Sequence, residues 1–346
     1  MRVTPSGGAP AIRKAAASIE QPNEAPVQVP GKFEKSHAGP CHDHPMAFTS
    51  AGQIETAVLD IGYESAGDPD ATPVILLHGF PYDVRAFDDA AAGIADQGGY
   101  VLAPYLRGFG PTRFWDGATV RSGQQAALAQ DLLDFMDALD IDSAVLAGYD
   151  WGGRAACITA ALRPERVRGL VTVDGYNVQD LAHAAEPCAP EWERSYWYQY
   201  YFHSERGRLG LERNRDELCA LLWRTWSPAW AGASAAFPAS RASLHNPDFV
   251  DVVIHSYRHR FGLVDGDPRY QDLEDLIAAQ PPISVPTVVL ESGDDGVGGP
   301  GAAEDRDCFT GPYEHRFLPG VGHNVPQESP GAFVDAVAAL LLGLKA

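Results

Sequence analysis

The sequence predicts an α/β fold, with a mostly parallel central sheet, helices on both faces and a long helical insertion ahead of the last strands. Three observations carry that prediction. Short apolar runs alternate with helical stretches from about residue 55 to residue 175. Between 176 and 282 the alternation stops, and helical stretches follow one another with no strand between them. It resumes with "VPTVVLESGDDG", "YEHRFLPG" and a closing helix.

Taken in order, "TAVLDIGYES" alternates as a half-buried strand does, and "TPVILLHG" is a continuous apolar run of the kind found in central parallel strands. A helical stretch near 84–97 leads to the strand "YVLAPY" and the glycine-bearing loop "RGFGPTRF". Segment 123–139 carries apolar residues at helical spacing. "SAVLAG" is the next strand, "GRAACITAALRP" a helix and "VRGLVTVDG" another strand. The insertion opens on "EWERSYWYQYYFHSERG", which is dense in aromatics, and runs on to "QDLEDLIAAQPPI". These boundaries give a core of residues 51–175 and 283–346, with a helical cap at 176–282. The last helix is "PGAFVDAVAALLLGL". Residues 1–50, rich in Pro, Ala, Gly and charge without a sustained period, read as a flexible N-terminal extension. Within them, Cys41, His42 and His44 form a "CHDH" cluster whose spacing matches no metal-ligand pattern.

Composition narrows the function. The 346 residues are 45% hydrophobic, enough for a substantial core, and carry a net charge of −20. Such an acidic balance argues against nucleic acid and anionic membranes, both of which reward clustered positive charge. Five scattered cysteines with no C-x-x-C pair suggest reduced thiols. No secretory leader and no apolar run long enough to span a bilayer is visible. The expectation is a cytoplasmic protein acting on a small, hydrophobic molecule, with a homodimer as its candidate assembly and with neither metal nor organic cofactor.

The chemistry centres on "GYDWGG", residues 148–153. A Gly-x-nucleophile-x-Gly turn between a strand and a helix usually presents serine. Here the presented side chain is Asp150. Aspartate also caps helices, but glycine on both sides at the end of an apolar strand favours a nucleophile. The positive end of the following helix favours its ionised form. An oxyanion hole would use the backbone N–H groups of Trp151 and of Phe80, in "LLHGFP". His323, in the glycine-rich turn "LPGVGHN", is the candidate base. Its acid partner comes from "LESGDDGV", with Asp295 preferred to Asp294; Asp174, in "VTVDGYN", remains a competitor.

These residues resemble the α/β-hydrolase superfamily, specifically its aspartate-nucleophile branch of epoxide hydrolases and haloalkane dehalogenases. The resemblance spans roughly residues 55–345 through "HGFP", "RGFG", "GYDWGG" and "GVGHNVPQESP". In the cap, "YWYQYYF" and "HSYRHRFG" look like the two lid-tyrosine motifs of epoxide hydrolases. The resemblance implies that Tyr198 and Tyr257 hold the epoxide oxygen, and that Gln199 and Pro81 contact substrate. It implies an alkyl ester on Asp150, hydrolysed by water that His323 activates and Asp295 helps to orient. One departure is Tyr105, where the family often has an acid two residues before the "RGFG" arginine.

A carboxylate nucleophile suits a saturated carbon rather than an acyl carbon, so a dehalogenase is the nearest alternative. Against it, the "HGFP" loop lacks the asparagine that supplies a second halide donor in haloalkane dehalogenases. Trp151 also stands where fluoroacetate dehalogenases usually place an arginine. A catalytically silent binding protein is the remaining alternative, and the intact Asp150–His323 pair disfavours it.

Overall fold

The computed structural model describes residues 48–297, 302 and 305–343. The expected flexible extension lies mostly outside these residues, as does the "CHDH" cluster. Residues 48–50, assigned by composition to the extension, are part of the packed chain: Phe48 is buried, and Ser50 opens the first strand.

Among the described residues, nine strands form one sheet. They are β1 (Ser50–Glu55), β2 (Leu59–Ala66), β3 (Thr72–Leu77), β4 (Gly99–Pro104), β5 (Arg113–Phe114), β6 (Ala144–Gly148), β7 (Val167–Val173), β8 (Thr287–Ser292) and β9 (Tyr313–Leu318). The spatial order is β1-β2-β4-β3-β6-β7-β8-β9, with β5 paired to β2. β2 runs antiparallel to its neighbours, and every pair from β4 to β9 is parallel. All five residues of β6 are buried, as the run "AVLAG" requires of a strand covered on both faces.

The flanking helices are α1 (Asp88–Asp96), α2 (Gln125–Ala138) and α3 (Asp150–Leu162). Seven more lie between β7 and β8: α4 (Pro190–Ser195), α5 (Trp197–His203), α6 (Glu205–Arg213), α7 (Arg215–Trp226), α8 (Ala233–Ser240), α9 (Phe249–His259) and α10 (Gln271–Ile277). α11 (Val325–Glu328) and α12 (Pro330–Gly343) complete the set. α1 packs on α12, whereas α2, α3 and α10 pack together, giving two helical layers. Among the described residues, no helix is long and apolar enough to cross a membrane.

Register gathers the functional loops. Leu77 of β3 pairs with Gly148 of β6, so both strands end at the same level and hand their following residues to one edge of the sheet. Val173 of β7 lies beside Leu290 of β8, and Ser292 beside Leu318 of β9. The loops carrying Phe80, Asp150, Asp174, Asp295 and His323 therefore all leave the carboxyl ends of parallel strands, where open α/β sheets bind ligands. Beneath them, Arg107 of the "RGFG" loop is fully buried. It makes a two-pronged ion pair with Asp131 on α2, at 2.6 Å through both Nε and Nη2. Tyr105, at the departure from the family pattern, donates to Glu64 at 2.7 Å and so ties this loop to β2.

Candidate active site

Asp150 is the first residue of α3 and adopts φ 50°, a left-handed conformation that a non-glycine residue holds only where its surroundings enforce it. The neighbouring glycines explain the enforcement. A Cβ on Gly148 would stand 2.7 Å from the Gly152 carbonyl, and one on Gly152 would overlap the backbone carbonyls of Leu77 and His78. Only hydrogen fits on either side of the turn.

The Phe80 N–H donates to Asp150 Oδ1 at 2.7 Å. The Trp151 N–H lies in the first turn of α3, where amides have no intrahelical acceptor. His78 braces this loop from beneath. Its Nε2 accepts from the Leu106 N–H at 3.1 Å, so Nδ1 carries the proton and donates to the Gly79 carbonyl. Burial holds this imidazole neutral, with a pKa pulled down to about 4.

His323 joins the two carboxylates. Its Nδ1 is 2.9 Å from Asp295 Oδ2, and its Nε2 stands 3.7 Å from Asp150 Oδ2, an ion-pair distance beyond hydrogen bonding. Burial pulls the imidazole pKa down, but Asp295 and Asp150 outweigh it and raise the value well above the ordinary one. Asp150 is shifted the other way. Burial alone would raise it, yet His323, Arg154 and the Phe80 amide hold it below the ordinary carboxylate range.

Of the three candidate acids, Asp295 is the one on the imidazole. Its other oxygen accepts from the Val297 N–H at 2.8 Å, which fixes the carboxylate plane. Asp294 is exposed. Asp174 faces Ser292, whose N–H and hydroxyl both reach it, at 2.7 and 3.2 Å. Burial and the Asp295 charge push the Asp174 pKa up to about 8. Asp174, Asp295 and His323 also offer three ligand atoms within 4.8 Å of one another. Each is already engaged inside the protein, Asp174 by Ser292 and Asp295 and His323 by one another.

The cap closes the other side. Tyr198 on α5 and Tyr257 on α9 are buried and meet edge-to-face, with ring centroids 5.4 Å apart. Tyr257 packs on Phe80 and Trp151, the two residues that follow the reactive turns, at 5.6 and 6.1 Å. Burial raises both phenols, Tyr198 to about 12. Gln199 donates from Nε2 to Tyr198 Oη at 3.2 Å. Pro81 is buried, and its carbonyl accepts from Trp223 Nε1 at 2.9 Å, which anchors α7 to the loop. Sequence reasoning missed Trp226 on α7, whose ring lies 5.0 Å from those of His323 and Tyr198. It also missed Arg260, which follows Tyr257 in the motif "HSYRHRFG".

Fold and site together define an α/β hydrolase. The model of the alpha/beta hydrolase fold family matches residues 72–328, and the chain belongs to that family. It is similar to a Klebsiella pneumoniae protein provisionally designated an epoxide hydrolase, at 45% identity and TM-score 0.84 over 86% of this chain and 98% of that one. Epoxide hydrolase A of Mycobacterium tuberculosis is 25% identical over 321 residues, covering 84% of this chain and 97% of the relative. A haloalkane dehalogenase loop variant from Bradyrhizobium elkanii shares the fold at 21% identity and TM-score 0.64, over 86% of this chain and 97% of that one. The protein is thus a hydrolase of the epoxide-hydrolase-like type.

Proposed function

We propose that this protein hydrolyses an epoxide to a vicinal diol through a covalent ester on Asp150. The observation that carries the reading is the pairing of two buried tyrosines, Tyr198 and Tyr257, against the residues beside the nucleophile. The core at 51–175 and 283–346 supplies the nucleophile and the base, and the cap at 176–282 supplies the two phenols.

In the first step Asp150 attacks an epoxide carbon and the carbon–oxygen bond breaks. The departing oxygen takes a proton from a tyrosine, which regains one from solvent. The Asp150 carboxylate is now a neutral ester, so His323 loses one of the two anions that raised its pKa. The imidazole therefore releases its extra proton to solvent, matching the one the tyrosine takes up, and becomes a base at the stage that needs one. Water gives its proton to Nε2 and adds to the ester carbonyl, whose oxygen is held by the Phe80 and Trp151 N–H groups. Collapse of this intermediate returns that proton to the leaving alkoxide and frees the diol, and the water's second proton passes from the new Asp150 carboxyl to His323, which restores the carboxylate and the charged imidazole. Asp295 keeps the imidazole oriented throughout.

One observation favours haloalkane or haloacid dehalogenation as a second reading. The indole N–H groups of Trp151 and Trp226 are both buried without an acceptor, and their rings flank Phe80 at 5.7 and 6.1 Å. Two free donors near the nucleophile suit a departing halide. A panel of epoxides, haloalkanes and haloacids, with diol and halide followed separately, decides the matter. Diol formation is expected; halide release without any diol overturns the epoxide reading.

A further inference from the structure

We propose that Arg154 and Arg260 form a carboxylate-binding subsite beside the nucleophile, so that the substrate is a short epoxide bearing a carboxylate. The proposal rests on the epoxide reading above and names its substrate class.

Arg260 follows α9, and its guanidinium lies over the Tyr257 ring, 4.8 Å from the centroid. Its Nη1 donates to Gln199 Oε1 at 3.1 Å. With the Gln179 amide turned so that its oxygen faces the guanidinium, Nη2 and Nε donate to that oxygen at 3.2 and 2.7 Å. These partners are all neutral. Elsewhere in the protein, Arg85, Arg107, Arg121 and Arg258 each sit on a carboxylate. A guanidinium left without one in a half-buried position is costly. Burial and the like charge of Arg154 pull the Arg260 pKa down to about 10.

Arg154 lies four residues beyond Asp150 on α3, hence on the same helical face, and it is only half-buried. It has no hydrogen-bond or ion-pair partner among the described residues. The Arg154 charge favours the Asp150 carboxylate, and the Asp150 charge favours the Arg260 guanidinium. Once Asp150 is esterified, that balance is gone, and two guanidiniums face a neutral site. An anionic substituent on the substrate restores it through both steps. The protein's net charge of −20 repels anions at long range, so an anionic substrate needs such local recognition. A carboxylate fits the planar guanidinium fork. The offset of one helical turn between Asp150 and Arg154, about 6 Å along the axis, places that carboxylate a few bonds from the epoxide carbon. Gln199 links the subsite to Tyr198 and hence to the epoxide oxygen.

The test compares 3-phenylglycidate with its primary amide, and styrene oxide as a neutral epoxide. The wild-type protein is expected to prefer the acid in kcat/KM by about 30-fold or more. Arg154→Gln and Arg260→Gln should each lower the acid-to-amide ratio by about 30-fold, the worth of a charge-assisted hydrogen bond, with partial recovery in Arg154→Lys. A measurement free of variants supports it: 3-phenylpropanoate should inhibit styrene oxide hydrolysis competitively, and 3-phenylpropanamide should not. Equal turnover of acid and amide, with no inhibition by the carboxylate, overturns the subsite and leaves the epoxide reading standing. No diol from any of the three epoxides overturns the epoxide reading itself.

Discussion

Replacing Gly79 by alanine perturbs the proposed nucleophile without removing any titratable group. A Cβ at this position would stand 2.8 Å from Asp150 Cγ and meet Asp150 Cβ and Oδ1 closer still. Relaxed contact between such atoms needs about 3.5 Å or more, so the carboxylate must retreat by on the order of 1 Å. Asp150 has little freedom to do so, because its backbone is pinned at φ 50° and Gly152 abuts the end of β3. The Phe80 N–H bond to Oδ1 would lengthen out of range. A displacement of this size at a reacting atom costs roughly 100-fold in rate, whereas the surrounding overpacking costs about 1–3 kcal/mol in stability. Single-turnover formation of the ester, measured by quenched-flow mass analysis, should therefore fall about 100-fold while thermal unfolding stays cooperative. A Gly79→Ala protein with an undiminished ester-forming rate would refute the reasoning about how the turn holds Asp150.

Three further outcomes follow from the same geometry. Tyr198→Phe and Tyr257→Phe should each slow epoxide opening about 100-fold, the usual worth of a positioned proton donor, and leave displacement of a halide nearly unchanged. Asp295→Asn should slow hydrolysis of the ester more than its formation, because the imidazole loses its orienting partner only where it acts as base; burst kinetics with a chromogenic epoxide separate the two steps. Asp174 has a folded pKa raised to about 8 by burial and by Asp295. A raised pKa contributes stability at low pH that is lost as pH climbs from the unfolded carboxylate range through about 8. Melting temperature should thus decline between pH 5 and 9 more steeply in the wild type than in Asp174→Asn, as read by differential scanning fluorimetry.

The features legible in the sequence were those with local causes. Gly148 and Gly152 mark a turn that only hydrogen can fill, and the apolar runs of β3 and β6 mark strands buried on both faces. β1 was not legible, because "SAGQIE" is an edge strand with one half-exposed face and no apolar alternation to announce it. The choice among Asp294, Asp295 and Asp174 turned on side-chain direction: Asp174 is captured by Ser292, which leaves the imidazole to Asp295. Tyr198 stood among four nearby tyrosines, and its burial against Tyr257 is a tertiary event. Arg260 and Gln179 meet only because the end of α9 and the loop after β7 converge. No periodicity records that.

The central claim, that Asp150 attacks and His323 frees it again, is tested most directly by intact-peptide mass spectrometry of His323→Gln after incubation with styrene oxide. The account predicts that the peptide containing Asp150 gains the mass of one substrate molecule, and that the added mass persists because no base activates water. An unmodified Asp150 peptide in a folded His323→Gln protein, or the adduct on another residue, would contradict it.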